Sequence, residues 1–268
     1  YSFTDESFSG AALQSIIGHG YSGGKNINQA LDSDYFGWSV SLDGNRLAVG
    51  APYGDGSGNG VSASGEVHLY TFSNSTFSGG ELAATIGHGY SGATNGFNQT
   101  LDTNDNLGAA VSLDGNRLAV GARLDDGSGN SRTYSGAAYL YTFSDSAFSG
   151  GALDAVIGHG YTGGKNVSQS LDTSDYFGFG ISLDGNRLAV GAPFGDGYNN
   201  GRSSSGEVYL YTAESSSDSV SSAVFATNSS SDSTITPTTI TTLLSAATNV
   251  VLQANNDITV SAAVTANN

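Results

Sequence analysis

The 268 residues carry 24 acidic against 8 basic side chains, giving a net charge of −16 and a pI near 4.1, with only 12% of residues charged in all. A chain this acidic repels phosphate backbones and anionic headgroups, which argues against nucleic acid and membrane surfaces as partners and moves divalent cations up. It has no cysteine, which excludes disulfides, thiolate metal sites and a Cys nucleophile, and no apolar run reaches bilayer length. The 38% of hydrophobic residues suffices for a packed core, but 39 glycines and few strong helix formers point to strands and turns. The opening Tyr1-Ser2-Phe3-Thr4 lacks the basic and apolar regions of a signal peptide and reads as mid-repeat sequence, as expected for a piece of a longer secreted protein.

Internal repetition organises the chain. The string GNRLAVGA begins at Gly44, Gly115 and Gly185, so the register is about 70 residues. IGHGY, from Ile17, Ile86 and Ile157, and SLDGN, from Ser41, Ser112 and Ser182, keep that register. Three units follow, over residues 1–72, 73–143 and 144–213.

Each unit predicts four short strands. In the first unit, Trp38 to Leu42 alternates apolar and small residues, and Asp43-Gly44-Asn45 supplies a tight turn. The second strand is Arg46 to Ala51, where Leu47 and Val49 share one face and Ala48 and Gly50 leave the other nearly bare, so another sheet can approach closely. The third strand, Glu66 to Phe72, is apolar on both faces, which fits sheets stacked on both sides as in propeller blades or solenoid coils. A fourth strand, Glu81 to Ile86, leads into the His-Gly-Tyr loop.

The register fails after Tyr211, and residues 214–233 read as a Ser-rich linker. Beyond it, Thr234 to Thr242, Thr248 to Gln253 and Asp257 to Val264 are β-branched runs between Asn-rich turns, so residues 234–268 read as a β-solenoid-like segment.

Phe36-Gly37 followed by Gly50-Ala51-Pro52, Phe177-Gly178 followed by Gly191-Ala192-Pro193, and the degenerate Leu107-Gly108 followed by Gly121-Ala122-Arg123 resemble the FG-GAP repeat of integrin α-subunit β-propellers and bacterial surface proteins. The resemblance implies an all-β, propeller-like array of four-stranded blades. Closed propellers use roughly 4 to 8 blades, so three units imply an incomplete or open propeller, or one completed by neighbouring chains. The stretch from Leu243 resembles the β-helix repeats of filamentous haemagglutinin-type adhesins. Together the two resemblances imply a large, secreted or surface-bound bacterial protein of adhesin type.

Integrin-type blades hold calcium between the first two strands, but here that connection is only Asp43-Gly44-Asn45, too short to wrap a cation. A second loop comes close to calcium-ligand spacing, with Asp55, Ser57 and Asn59 followed by Glu66. The third unit offers Asp196, Asn200 and Glu207 in the same places, while the middle unit has Asp126, Ser128 and Asn130 but Ala137 at the last position. Two readings stand: a calcium loop, or the plainer one of a solvated Asp- and Gly-rich hairpin.

Paired carboxylates precede each first strand, Asp32 with Asp34, Asp102 with Asp105 and Asp172 with Asp175, and their recurrence favours a turn or cap over catalysis. His19, His88 and His159 read as loop-tip residues packing on Tyr21, Tyr90 and Tyr161 rather than as one metal site. His68 aligns with Tyr139 and Tyr209, an aromatic packing position, and Arg46, Arg117 and Arg187 are placed to pair with Asp43, Asp114 and Asp184. No nucleophile elbow or phosphate loop opens a helix. The expected function is non-catalytic binding or adhesion, to a glycan or a surface protein; the alternative is an extracellular filament or stalk that self-associates through strand edges.

Overall fold

The computed structural model describes residues 10–91 and 96–212. Strands β1 (Ile17–Gly18) and β2 (Ile27–Asn28) come first, and then β3 (Ser39–Asp43), β4 (Arg46–Ala51), β5 (Glu66–Thr71), β6 (Glu81–Gly87) and β7 (Gly96–Asn98). The second unit repeats these as β8 (Leu107–Asp114), β9 (Arg117–Ala122), β10 (Ala137–Thr142), β11 (Ala152–Gly158) and β12 (Val167–Ser168). The third gives β13 (Gly180–Asp184), β14 (Arg187–Ala192) and β15 (Glu207–Thr212). The fold is all-β, with the four predicted strands of the first unit in place.

Each unit is a meander in which neighbours in sequence are neighbours in the sheet: β3-β4-β5-β6-β7, β8-β9-β10-β11-β12 and β13-β14-β15. The first three connections are antiparallel, with Leu42 opposite Leu47 and Val49 opposite His68. The first two blades are thus five-stranded where four strands were expected, and the third shows three among the described residues. The addition is short: β7 runs parallel to β6, with Ile86 opposite Phe97, because the His-Gly-Tyr segment returns the chain beside the strand it has just left. β1 and β2 pair in the same parallel way, Ile17 opposite Ile27, and are the first unit's counterpart of β6 and β7.

The blades stack face to face, and glycine decides how closely. A Cβ on Gly50 would lie 2.0 Å from the carbonyl oxygen of Gly108, and one on Gly121 would lie 1.9 Å from that of Gly178. The bare face predicted for β4 is therefore where the next blade's first strand lies. Gly37 donates its N–H to the Gly50 carbonyl at 3.1 Å, and Gly178 does the same to Gly191 at 3.1 Å, so the two glycine words of each repeat meet across its first strand pair.

The core is interblade. Ala48, Val67 and Leu69 of the first blade join Leu107, Val111 and Leu113 of the second, while Ala119 and Ala138 of the second join Phe177 and Val190 of the third. Ile17 and Ile27 cover part of the first blade's opposite face, against Val49, Tyr70 and Phe72. The described residues up to Tyr211 belong to one compact unit. The predicted linker and solenoid-like segment, residues 214–268, lie outside the described residues.

Candidate functional site

The long loop between the second and third strands is built the same way in every unit. The Asp55 carboxylate accepts the N–H of Ala63 at 2.7 Å, Asp126 that of Tyr134 at 2.7 Å, and Asp196 that of Ser204 at 2.7 Å. Ala63, Tyr134 and Ser204 have positive φ of 49°, 54° and 51°, and the carboxylate bond helps to hold that turn. The side chains of Asn59, Asn130 and Asn200 turn the other way, donating to Asp32, Asp102 and Asp172 at 3.4, 3.1 and 2.7 Å.

Of the predicted ligands Asp55, Ser57, Asn59 and Glu66, the structure brings Asn59 and Glu66 to one cavity, of about 460 Å³, whose walls also include Asp32, Asp34, His68 and Tyr90. Asp55 works instead within the loop, and Ser57 donates its backbone N–H to the His88 carbonyl at 2.8 Å. In the third unit, Asn200 faces Asp172, Asp196 closes the loop, and Glu207 accepts the hydroxyl of Tyr209.

The middle unit has an equivalent cavity of about 350 Å³, walled by Asp102, Asp105, Asp125, Asn130, Tyr139 and Tyr161. Here the carboxylate has changed its origin. Glu66 accepts the N–H of Gly56 at 3.1 Å and bonds Tyr90. Asp125 accepts the equivalent N–H, from Gly127, at 2.8 Å, and the equivalent hydroxyl, of Tyr161, at 3.1 Å. In sequence, Asp125 stands at the place of Gly54 and Gly195, and Ala137 at the place of Glu66 and Glu207. A Cβ on Gly54 would lie 2.7 Å from Glu66 Cγ, so the blade holds either the long side chain from the strand or the short one from the loop. A carboxylate reaches the same amide and the same tyrosine by both routes.

Burial and like charge set the electrostatics. Asp105 is pushed up to about 7, first by burial and then by the neighbouring Asp125. Burial also raises Asp125, against the hydrogen bonds from Tyr139, Gly127 and Tyr161 that favour its charged form. Asp34 and Asp175 are raised by burial too, with Glu66 and Glu207 adding repulsion. Acidic groups that resist ionisation side by side form a site that a cation would stabilise.

The paired carboxylates shape the turn before the first strand: Asp34, Asp105 and Asp175 accept the N–H of Asp32, Asp102 and Asp172 at 3.1, 2.7 and 2.7 Å. The histidines contribute their backbone, since the carbonyls of His88 and His159 accept Ser57 and Ser128 at 2.8 Å each. Tyr21, Tyr90 and Tyr161 lie against Gly18, Gly87 and Gly158. Among the described residues, no three His, Asp or Glu side chains form a ready cation cage. His68 lies against Phe36 with ring centroids 5.5 Å apart, its Nε2 3.2 Å from Glu66. Arg46 and Arg117 pair with Asp43 and Asp114 at 2.5 and 3.0 Å, and Arg187 pairs with Asp184.

Sequence reasoning missed Asp125, Tyr90 and Tyr161 as cavity residues. A signal existed: Ala137 breaks the Glu66 and Glu207 pattern in the one unit that has Asp in place of glycine at 125. No helix among the described residues is long and apolar enough to cross a membrane. Comparison with curated proteins finds no match to the chain. Comparison with protein families matches the FG-GAP repeat at residues 28–70, 101–141 and 169–211. Each match spans the first three strands of a blade and the two glycine words that meet there, so the three stretches similar to the FG-GAP repeat fall one to a blade.

Proposed function

We propose that the chain is a non-catalytic, calcium-dependent binding module of a secreted or surface-bound bacterial protein of adhesin type. The observation that carries this reading is the retained carboxylate: Glu66 in one blade and Asp125 in the next reach the same amide and the same tyrosine from different backbone positions. Such an exchange preserves a charge at a place and not a residue in a sequence. Recurrence in successive blades suits ligand binding by repetition better than catalysis, which needs one differentiated centre. The cation stabilises the loops from Gly54 to Gly65 and from Asp125 to Gly136, and these then present polar side chains to a glycan or a surface protein.

Extracellular calcium sites bind at about 10⁻⁴ to 10⁻³ M, so about 10 mM calcium stabilises the folded chain by roughly 1.4 to 2.7 kcal/mol per site. Thermal unfolding followed by circular dichroism in calcium and in chelator is expected to show a higher Tm with calcium, and a smaller rise for Asp105→Asn with Asp125→Asn. Coincident melts in the two buffers would remove the cation and this reading with it.

A second reading, an extracellular filament or stalk subunit, is favoured by a different observation: the outward faces of the first and third blades expose Val40, Leu42, Val208 and Leu210.

A further inference from the structure

The loop that joins β5 to β6, residues 72–80, has a counterpart in residues 143–151, which join β10 to β11. In both, one short polar side chain ties the turn. Asn74 Oδ1 accepts the N–H of Thr76 at 3.0 Å and that of Ser78 at 3.2 Å, and Asp145 accepts those of Ala147 and Ser149 at 2.9 and 3.0 Å. Ser73 and Ser144 close the base by donating their N–H to the carbonyls of Ser78 and Ser149 at 2.8 Å. Phe77 and Phe148, both at positive φ, pack edge-on against Phe72 and Phe143 with ring centroids 5.1 Å apart. The turn therefore needs an acceptor oxygen, and a carboxylate serves it as well as an amide.

The first blade departs from the second at two places, and together they supply a chemistry the turn does not use. Asn74 brings an amide nitrogen where Asp145 has an oxygen, and Thr76 brings a hydroxyl where Ala147 has none. Asn74-Ser75-Thr76 is then the acceptor pattern for an N-linked sugar. The Thr76 hydroxyl donates to Asn74 Oδ1 at 2.8 Å, so three donors polarise that carbonyl and favour loss of a proton from the amide nitrogen. The two backbone donors fix which way the amide faces, and its Nδ2 has no partner among the described residues. Asn74, Ser75 and Thr76 are exposed. So are Asp145, Ser146 and Ala147 in the blade covered on both faces, so exposure belongs to the loop itself.

The same pattern stands at Asn98-Gln99-Thr100 and Asn166-Val167-Ser168, where the fold employs the side chains, and at Asn228-Ser229-Ser230, outside the described residues. Asn98 Oδ1 accepts the N–H of Gly89 at 2.7 Å, and Gln99 beside it is buried. Asn166 accepts the N–H of Val156 at 2.8 Å and donates Nδ2 to the Thr162 carbonyl at 3.4 Å, while the Ser168 hydroxyl accepts the N–H of Gly160 at 3.2 Å. Among the described residues, only Asn74 is bonded by the hydroxyl of its own pattern.

We infer that Asn74 is the position at which the folded chain accepts an N-linked sugar from a glycosyl diphosphate donor. In the transfer, Nδ2 attacks C1 of the sugar as the C1–O bond breaks. The diphosphate leaves with the electron pair, and one Nδ2 proton passes to a base of the transferase. The inference uses no cavity residue, so the calcium reading can fail without it.

Folded Asn228→Gln chain, incubated with a soluble N-glucosyltransferase and UDP-glucose, tests this by peptide mass spectrometry, with free peptides of the three remaining patterns as references. Asn74 is expected to take one hexose as fast in the fold as in its peptide. Asn98 and Asn166 should be slowed at least about tenfold by the fold, the rate equivalent of the hydrogen bond each must break. Thr76→Ala, which copies the second blade's residue, should abolish transfer to Asn74 with Tm unchanged, and Thr76→Ser should keep it. The inference is overturned if Asn74 takes no sugar, if the fold slows it as much as the other two, or if Thr76→Ala still accepts the hexose there.

Discussion

At the residue scale, the middle blade's carboxylates hold the sharpest consequence. Asp105 and Asp125 are both buried, and burial together with the neighbouring Asp125 makes Asp105 harder to ionise. An unfolded Asp ionises near pH 3.9, whereas folded Asp105 ionises at about 7. Between those values the folded chain binds more protons than the unfolded one, so this group's contribution is full below about pH 4 and is lost as the pH rises through 7. In chelator, urea unfolding of the wild type is expected to show stability falling between pH 5 and pH 8 by on the order of a few kcal/mol. Asp105→Asn should flatten that fall, and an unchanged slope would show that the carboxylate is not held as described. Arg123 is a different departure from the repeat, standing where Pro52 and Pro193 do. Its guanidinium lies 5.2 Å from the Trp38 ring and 5.6 Å from the Phe179 ring and bonds Asn106 at 3.3 Å, linking residues of all three blades.

At the element scale, the second strand of each blade is where stacking is decided. β4 and β9 carry Gly50 and Gly121 under the next blade's backbone, while the equivalent Gly191 of β14 lies under nothing. Gly121→Val places a side chain where the Gly178 carbonyl is, so the blades must separate; a loss of about 3 kcal/mol or more in chemical unfolding is expected. Gly191→Val should leave the isolated chain's stability within about 0.5 kcal/mol, because the site is open and a β-branched residue suits a strand. Equal destabilisation by the two variants would contradict the stacking geometry. The Asp and Arg pairs at the strand turns matter less for stability, since exposed pairs contribute about 0.2 to 1 kcal/mol each.

At the scale of the whole molecule, protection follows position in the stack. The middle blade is covered on both faces, and β8 is buried along most of its length, whereas β15 alternates between partly buried and exposed residues. Amide hydrogen exchange should therefore be slowest in β9 and β10 and markedly faster in β15 of the dilute chain. Identical rates in β10 and β15 at low concentration would mean that the end blade is covered by some other part of the chain.

Period and composition were enough to determine the all-β class, the four main strands of the first unit and the bare face of β4, because repetition fixes the register and alternation fixes the faces. The recurrent Asp and Arg pairs at the strand turns were legible for the same reason: partners three residues apart across a tight turn are local. The cavity was not. Asp55 and Glu66 fit a ligand spacing along the chain, but the Asp55 carboxylate is taken by the Ala63 amide and Glu66 turns to Gly56 and Tyr90. The equivalence of Glu66 and Asp125 joins a strand residue to a loop residue that alignment by repeat keeps apart. Local spacing determined the strands and turns; which groups share a cavity was decided by the stacking of one blade on the next.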